Sequence, residues 1–399
     1  MLVCVSIASQ PVGQAAAARS AIELQGLHAY ADRESVPAGE IIRFHVSSQV
    51  PYRFGVSRLG LRVDDRASDE TILPPKKVFP ARVQLIHPGS YVRVKNGLPA
   101  DAELTALTLE CWVRPWKLSP WQGILTQHDY PDRCGFGLFL DAEGRAVFSI
   151  GSGGAFDEKS LVTGPRLNLR QWHHLVGVWD GTAKAAAIWV DGKRAAQWHG
   201  SELLPPRKAG PSGLRIGAYS ERGVTGRFFD GDIAMPAIYT RALSGEEIAA
   251  RLAKRGLEAP NLNDPALAAF WPLAEERGAT VADASRHGRD GEIVNLGTWM
   301  IGGPSFDGSS VGRYDTAYDP RTDPSRGHGL RLASDDLYDC GWEATEVFRV
   351  PKNARSGLYA AWFQFELEGK PHRYPVTFVV NKAKRAAKAP LALMCSSTT

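Results

Sequence analysis

The chain is poor in the residues that build the commonest chemical sites. Its five cysteines, Cys4, Cys111, Cys134, Cys340 and Cys395, are scattered over 399 residues and never form a Cys-x-x-Cys pair. That excludes a disulfide framework and a thiolate zinc site, and it fits reduced thiols in a cytosol. Charge of one sign is also lacking. The 47 Lys and Arg stand against 43 Asp and Glu, a net +4, too small and too evenly spread for a nucleic-acid binder. No apolar run approaches the roughly 20 residues of a membrane helix. Leu2 to Ala8 is apolar and Ala15 to Ala18 imitates a cleavage region, but no Lys or Arg precedes Arg19. The positive start of a secretory signal is therefore missing, and a cytoplasmic location is expected. There is no G-x-x-x-x-G-K-[ST] loop. Gly151-Ser152-Gly153-Gly154 lacks the third glycine of G-x-G-x-x-G and opens no helix.

What the chain does have is aromatic and strand-forming. Hydrophobic residues make up 44%, with 11 Trp, 11 Tyr and 15 Phe, the composition of a globular protein with a substantial core. Length alone argues for two domains or more. In His28 to Val50, Pro37, Ala38 and Gly39 form a turn, after which Ile42, Phe44 and Val46 alternate with Arg43, His45 and Ser47, the period of a half-buried strand. Similar runs recur far downstream, at Trp342 to Pro351, Gly357 to Leu367 and Tyr374 to Val380.

Between these halves the signals are again all-β. Gly89 to Val94 and Thr108 to Val113 read as strands. Phe136 to Leu140 and Ala146 to Ile150 flank a turn at Asp141 to Gly144. Trp172 to Trp179 and Ala185 to Val190 form a hairpin through Asp180-Gly181, with another turn at Asp191-Gly192. One helix is expected: Ser244 and Glu247 form a capping box, Ile248, Ala249 and Leu252 an apolar stripe, and Gly256 a C-cap.

The expected organisation is a poorly ordered lead-in over 1–26, an immunoglobulin-like sandwich split between 27–83 and 309–381, and a jelly roll over 84–308. The last segment, 382–399, would be a basic linker around Lys382, Lys384, Arg385 and Lys388, followed by a buried apolar strand at Pro390 to Cys395.

Candidate sites fare poorly against simpler roles. His173 and His174 are strand neighbours, so they point to opposite faces and cannot chelate one ion. His128, Asp129, Asp132 and Cys134 mix soft and hard ligands in a proline-containing turn. The loop of Asp283, Ser285 and Asp290 has the oxygen donors calcium prefers, but Arg286, His287 and Arg289 crowd it. Trp112, Trp172, Trp179 and Trp189 occupy strand positions and read as core.

Particular stretches resemble known families. Leu107 to Pro115, Trp172 to Thr182, Ile188 to Arg194 and Phe229 to Leu252 resemble the laminin-G-like, concanavalin-A-like jelly rolls. Tyr30 to Ser48, Asp335 to Ala360 and Ala389 to Thr399 resemble the N,N-dimethylformamidase large-subunit family, and this likeness covers nearly the whole chain.

That second resemblance implies an iron-dependent amidohydrolase cleaving dimethylformamide to formate and dimethylamine. It implies iron held by tyrosine and glutamate side chains of a carboxy-terminal catalytic domain, and partnership with a small subunit or further large subunits. Thr399 falls where that domain would begin, so the chain is expected to be a truncation or one of two polypeptides. It is expected to be inactive alone, with no catalytic, cofactor-binding or metal-ligating residue assigned. The competing expectation, from the jelly roll alone, is a carbohydrate- or protein-binding module.

Overall fold

The computed structural model describes residues 19–60, 66–98, 104–130, 133–153, 160–200, 213–306 and 327–381. The chain is mostly β, 52% strand, with one α-helix among the described residues. It divides into two compact units. One holds Pro88–Tyr338 together with Arg19 and Ser20; the other holds Ala21–His87 and the residues from Asp339 onward.

The larger unit is a two-sheet jelly roll. Its first sheet runs, in spatial order, Leu161–Arg166, Arg145–Ser152, Cys134–Leu140, Gln122–Tyr130, Leu214–Ile216, Tyr91–Val94, Gly291–Val294 and Thr280–Val281. The small hairpin Tyr219–Glu221 and Val224–Gly226 lies alongside Gln122–Tyr130. The second sheet runs Lys193–His199, Ala185–Val190, His173–Asp180, Ala106–Pro115, Gly231–Tyr239, His328–Leu332 and Thr298–Ile301, with Leu267–Phe270 also paired to Gly231–Tyr239. The facing sides interdigitate around Leu109, Phe148, Trp179, Phe229 and Trp271, all essentially solvent-free.

Turn chemistry sets the hairpin registers. Asp191 (φ 50°) and Gly192 (φ 74°) are both left-handed, as a tight two-residue connection between right-twisted strands requires. Asp141 Oδ1 accepts from the backbone N–H groups of Glu143 and Arg145 at 3.0 and 2.8 Å, fixing the preceding turn. Pro236 interrupts Gly231–Tyr239 at a bulge between Ala234 and Ala237, with Met235 at φ 53°. A proline in a central strand is tolerated at such a bulge because one residue there leaves the ladder.

The helix, Gly245–Ala253, carries both bonds of the capping box between Ser244 and Glu247. Its inward face is Ile248 and Leu252, while Ala249 is exposed. Gly256 is not the C-cap: Lys254 caps in a right-handed conformation, and the left-handed turn begins at Arg255 (φ 48°) and continues into Gly256 (φ 71°).

The smaller unit is also a two-sheet sandwich. A three-stranded sheet, Leu27–Ala31, Ile41–Ser48 and Ala344–Arg349, faces a sheet ordered Ser35–Pro37, Lys370–Asn381, Gly357–Leu367, Tyr52–Arg58 and Glu70–Leu73. Ile42, Phe44 and Val46 point inward, at 1% exposure or less. Phe44 meets the rings of Phe54, Phe363 and Phe378 at centroid distances of 5.5 to 6.0 Å, in the tilted and edge-on geometries aromatic rings prefer.

Two expected boundaries need correction. The division falls after Tyr338, not at 308, because His328–Leu332 pairs antiparallel with Gly231–Ile233 and with Thr298–Ile301 in the jelly-roll sheet. Nor do residues 19–26 belong to a loose lead-in: the Ser20 N–H donates to the Thr225 carbonyl, and Ile22 exchanges two backbone hydrogen bonds with Ile86. The segment 1–18, the basic run and the apolar strand expected after Lys382 lie outside the described residues.

Candidate functional site

The most reactive-looking side chains are spent on holding the jelly roll together. Glu110, on Ala106–Pro115, is 1% exposed. Its Oε1 takes a hydrogen bond from His174 Nε2 at 3.0 Å, its two oxygens lie 3.0 and 3.2 Å from Arg251 Nε on the helix, and Tyr239 donates to Oε2 at 3.4 Å. Burial alone would raise its pKa. The His174 hydrogen bond and the Arg251 charge outweigh burial and hold the carboxyl below the usual range. Tyr239 responds oppositely, pushed up by burial and by the Glu110 charge.

His173 serves a turn instead. Its Nδ1 lies 2.8 Å from Asp191 Oδ2, and its Nε2 accepts from the Asn168 backbone N–H at 3.2 Å. The two adjacent histidines therefore work on opposite faces of one strand.

The suspected calcium loop closes on itself. Asp283 Oδ1 accepts from the N–H groups of Phe270 and Ser285, and Oδ2 accepts from the Ser285 hydroxyl and the Arg289 N–H, all within 3.0 Å. Asp290 Oδ1 accepts from the Asp283 N–H at 2.8 Å. Carboxylates so occupied with backbone donors are loop staples.

In the other loop, His128 and Asp129 face opposite sides of their strand, Cys134 is buried, and Asp132 lies outside the described residues. Among the described residues no group of three or more His, Cys, Asp or Glu side chains converges as a metal site would. Trp112 and Trp179 are buried, Trp172 and Trp189 partly so. Gly151 ends up inside strand Arg145–Ser152.

A hollow that sequence reading missed lies on the face of the first sheet turned away from the core. Its volume is about 430 Å³, and it is lined by Trp121, His128, Tyr130, Phe139, Ser149, Leu161, Tyr219, Glu221 and Arg227. The rings of His128, Phe139 and Tyr219 pack mutually edge-to-face at 5.4 to 6.1 Å. Phe139 can lie across the sheet because residue 137 is glycine: a Cβ there would sit 2.6 Å from the Phe139 ring.

The far wall comes from the hairpin after Tyr219, about ninety residues downstream, which is why no local pattern announced it. Backbone bonds fasten that hairpin: Gly123 N–H to the Arg227 carbonyl at 3.0 Å, and Arg222 N–H to the Tyr130 carbonyl at 2.6 Å. Arg227 Nε stands 3.5 Å from Glu221 Oε2. Burial raises the Tyr219 hydroxyl to about 12 and lowers His128 to about 4, so His128 is neutral at physiological pH.

Comparison with known proteins agrees with this architecture. Residues 88–249 match the concanavalin A-like lectin/glucanases superfamily, and residues 308–399 match a family described as N,N-dimethylformamidase beta subunit-like, C-terminal. The N,N-dimethylformamidase beta subunit of an Alcaligenes species is 26% identical over 411 residues, covering 93% of this chain and 51% of that protein. The likeness to N,N-dimethylformamidase beta subunits runs over nearly the whole of this chain. The Paracoccus aminophilus beta subunit aligns similarly, 25% identical over 93% of this chain and 51% of the relative.

The chain thus spans about half the length of these curated N,N-dimethylformamidase relatives. A solved structure of the Ruminococcus gnavus IT-sialidase CBM40 is similar over 43% of this chain and 96% of its own at 15% identity, with a TM-score of 0.35. No helix among the described residues is long and apolar enough to cross a membrane.

Proposed function

We propose that this chain is the non-catalytic scaffold portion of an N,N-dimethylformamidase-like beta subunit. It would work in the cytosol, within a hetero-oligomeric, iron-dependent amidohydrolase that converts dimethylformamide to dimethylamine and formate. The observation that carries the reading is a likeness to beta subunits over 93% of this chain, combined with side chains that are engaged in structural bonds. A small subunit or further large subunits would complete the assembly.

The iron that the family implies finds no suitable place among the described residues. Glu110, His174 and Tyr239 are acceptable donors by type, but Arg251 Nε lies within 3.2 Å of both Glu110 oxygens and puts a permanent positive charge beside any metal they would hold. Tyr52 and Glu346, 2.7 Å apart, pair one tyrosine with one glutamate. Burial raises both of their pKa values, away from the phenolate and carboxylate that iron would need. No step of the hydrolysis is routed through this part of the protein. An unactivated amide demands an activated water and stabilisation of the developing oxyanion, tasks that fall to other parts of the assembly.

The test is to purify the chain in the presence of Fe²⁺, measure bound metal, and assay formate release from dimethylformamide. The expected result is substoichiometric iron and no formate above background. Stoichiometric iron or measurable hydrolysis would overturn the scaffold reading.

A further inference from the structure

The second jelly-roll sheet carries an arginine patch that the bonds within the chain leave half-used. Asp232 on Gly231–Tyr239 stands in register with Arg114 on Ala106–Pro115 and with Arg331 on His328–Leu332, so the three side chains share one face. Their strand neighbours Val113, Ile233 and Leu330 fill the core, which puts that shared face on the outside.

Asp232 is wholly buried, and both its oxygens are occupied. Arg331 Nε donates to Oδ1 at 2.8 Å, Arg114 Nε donates to Oδ2 at 2.7 Å, and the Trp116 indole N–H donates to Oδ2 as well. Each guanidinium is therefore held by its inner edge. The terminal nitrogens of both arginines have no acceptor among the described residues.

Trp116 gathers the charges. The guanidinium carbons of Arg331, Arg114 and Arg170 stand 4.5, 5.6 and 5.6 Å from its ring centroid, within cation–π range. Arg170 is positioned there by left-handed backbone, φ 61°, with its N–H bonded to the Pro115 carbonyl at 2.7 Å. Such a conformation costs about 1–3 kcal/mol and collects at sites that use it. Asp230, two positions before Asp232, is engaged by the Ser334 N–H at 2.7 Å and the Ser119 hydroxyl, and bonds no arginine among the described residues. One guanidinium would neutralise Asp232; the second and third add mutual repulsion that nothing inside the fold repays.

The chemistry of the patch selects its occupant. Its spare donors are all guanidinium edges, which match carboxylates in a two-bond fork, whereas phosphate cradles are built from backbone N–H groups. The face is open to solvent, with the Arg331 side chain 43% and Trp116 38% exposed. Arginine and tryptophan are also the side chains that concentrate binding energy in protein interfaces. We propose that this patch docks an acidic segment of a partner polypeptide, whose carboxylates take the terminal nitrogens of Arg114 and Arg331 and the guanidinium of Arg170. The inference rests on the reading of this chain as one part of a larger assembly, but not on what that assembly hydrolyses.

The full chain is to be titrated, by fluorescence anisotropy at low ionic strength, against a rhodamine-labelled hexaglutamate peptide. Hexaglutamine and hexalysine peptides serve as comparators, and inorganic phosphate as a competitor. Arg331→Gln leaves Asp232 paired with Arg114 and Trp116, Arg170→Gln disturbs no side-chain bond among the described residues, and Lys193→Gln removes an exposed charge elsewhere on the same unit; melting temperatures report that each is folded. Hexaglutamate is expected to bind saturably and to weaken roughly tenfold in Arg331→Gln and in Arg170→Gln, equivalent to about 1.4 kcal/mol. Lys193→Gln should bind as the unmodified chain does, and Arg331→Lys, which keeps the charge but loses the fork, should recover only part of the affinity. Absence of saturable binding, equal weakening in Lys193→Gln, binding unchanged in both arginine variants, or displacement of the peptide by an equal concentration of phosphate would overturn the proposal. Iron content and formate release report separately on the scaffold reading, and their outcome does not alter this titration.

Discussion

Arg251 Nε sits 3.0 Å from Glu110 Oε1, a contact that ties the helix Gly245–Ala253 to the centre of a jelly-roll sheet across 141 positions of sequence. Because Glu110 is fully buried, the pair behaves as a structural lock rather than a surface ion pair. Removing one partner of such a pair strands a buried charge and typically costs about 3–5 kcal/mol. Arg251→Met is expected to destabilise the larger unit by about that amount in urea unfolding, and Glu110→Gln to cost less, since no uncompensated anion is left. Equal effects would argue against the charge-based account.

His128 supplies a pH signature. Its folded pKa is lowered to about 4 by burial, against about 6.5 unfolded, so the unfolded chain binds the extra proton first as pH falls. The stability it contributes is fully present above about pH 6.5 and is lost progressively as pH drops toward 4, on the order of 3 kcal/mol in all. His128→Gln should flatten the melting-temperature profile across that window. Glu346, raised by burial, runs oppositely: its contribution is full below its unfolded pKa and is lost as pH rises through the folded value.

Gly137 is a packing requirement that the hollow makes visible. A methyl group there would press into the Phe139 ring at 2.6 Å, and the ring is boxed by His128 and Tyr219. Gly137→Ala is expected to cost about 1–3 kcal/mol, in the range of overpacked cores, as measured by chemical denaturation. An unchanged midpoint would mean the ring swings away freely.

Sequence pattern reached the fold where the physics is local. The alternation of Ile42, Phe44 and Val46, the turn at Asp191-Gly192 and the capping box at Ser244 each depend on residues within a few positions, and each is present in the structure. It placed the domain boundary too early because His328–Leu332 owes its place to partners at Gly231–Ile233, about a hundred residues away. The hollow was illegible for the same reason: Tyr219, Glu221 and Arg227 meet Phe139 only through strand pairing. Asp283 shows the converse, since acidic residues in a loop look alike whether they hold a cation or cap backbone N–H groups.

The Asp283 loop gives a prediction that separates those two roles. Asp283 accepts four hydrogen bonds, three from backbone N–H groups and one from the Ser285 hydroxyl, and Trp271 Nε1 donates to the nearby Arg289 carbonyl at 2.9 Å, anchoring the loop to the core. Losing the carboxylate leaves several of these donors unsatisfied, at about 1–3 kcal/mol for each one that water cannot reach. Asp283→Ala is therefore expected to lower the melting temperature by several degrees. Asp283→Asn keeps one carbonyl acceptor and should recover part of the loss. Neither calcium nor a chelator should shift the melting temperature of the unmodified chain, because the oxygens a cation would need already accept hydrogen bonds from their own loop. A calcium-dependent rise that vanishes in Asp283→Asn would instead mean that the loop opens to admit the ion, and that its self-bonded form is only the resting state.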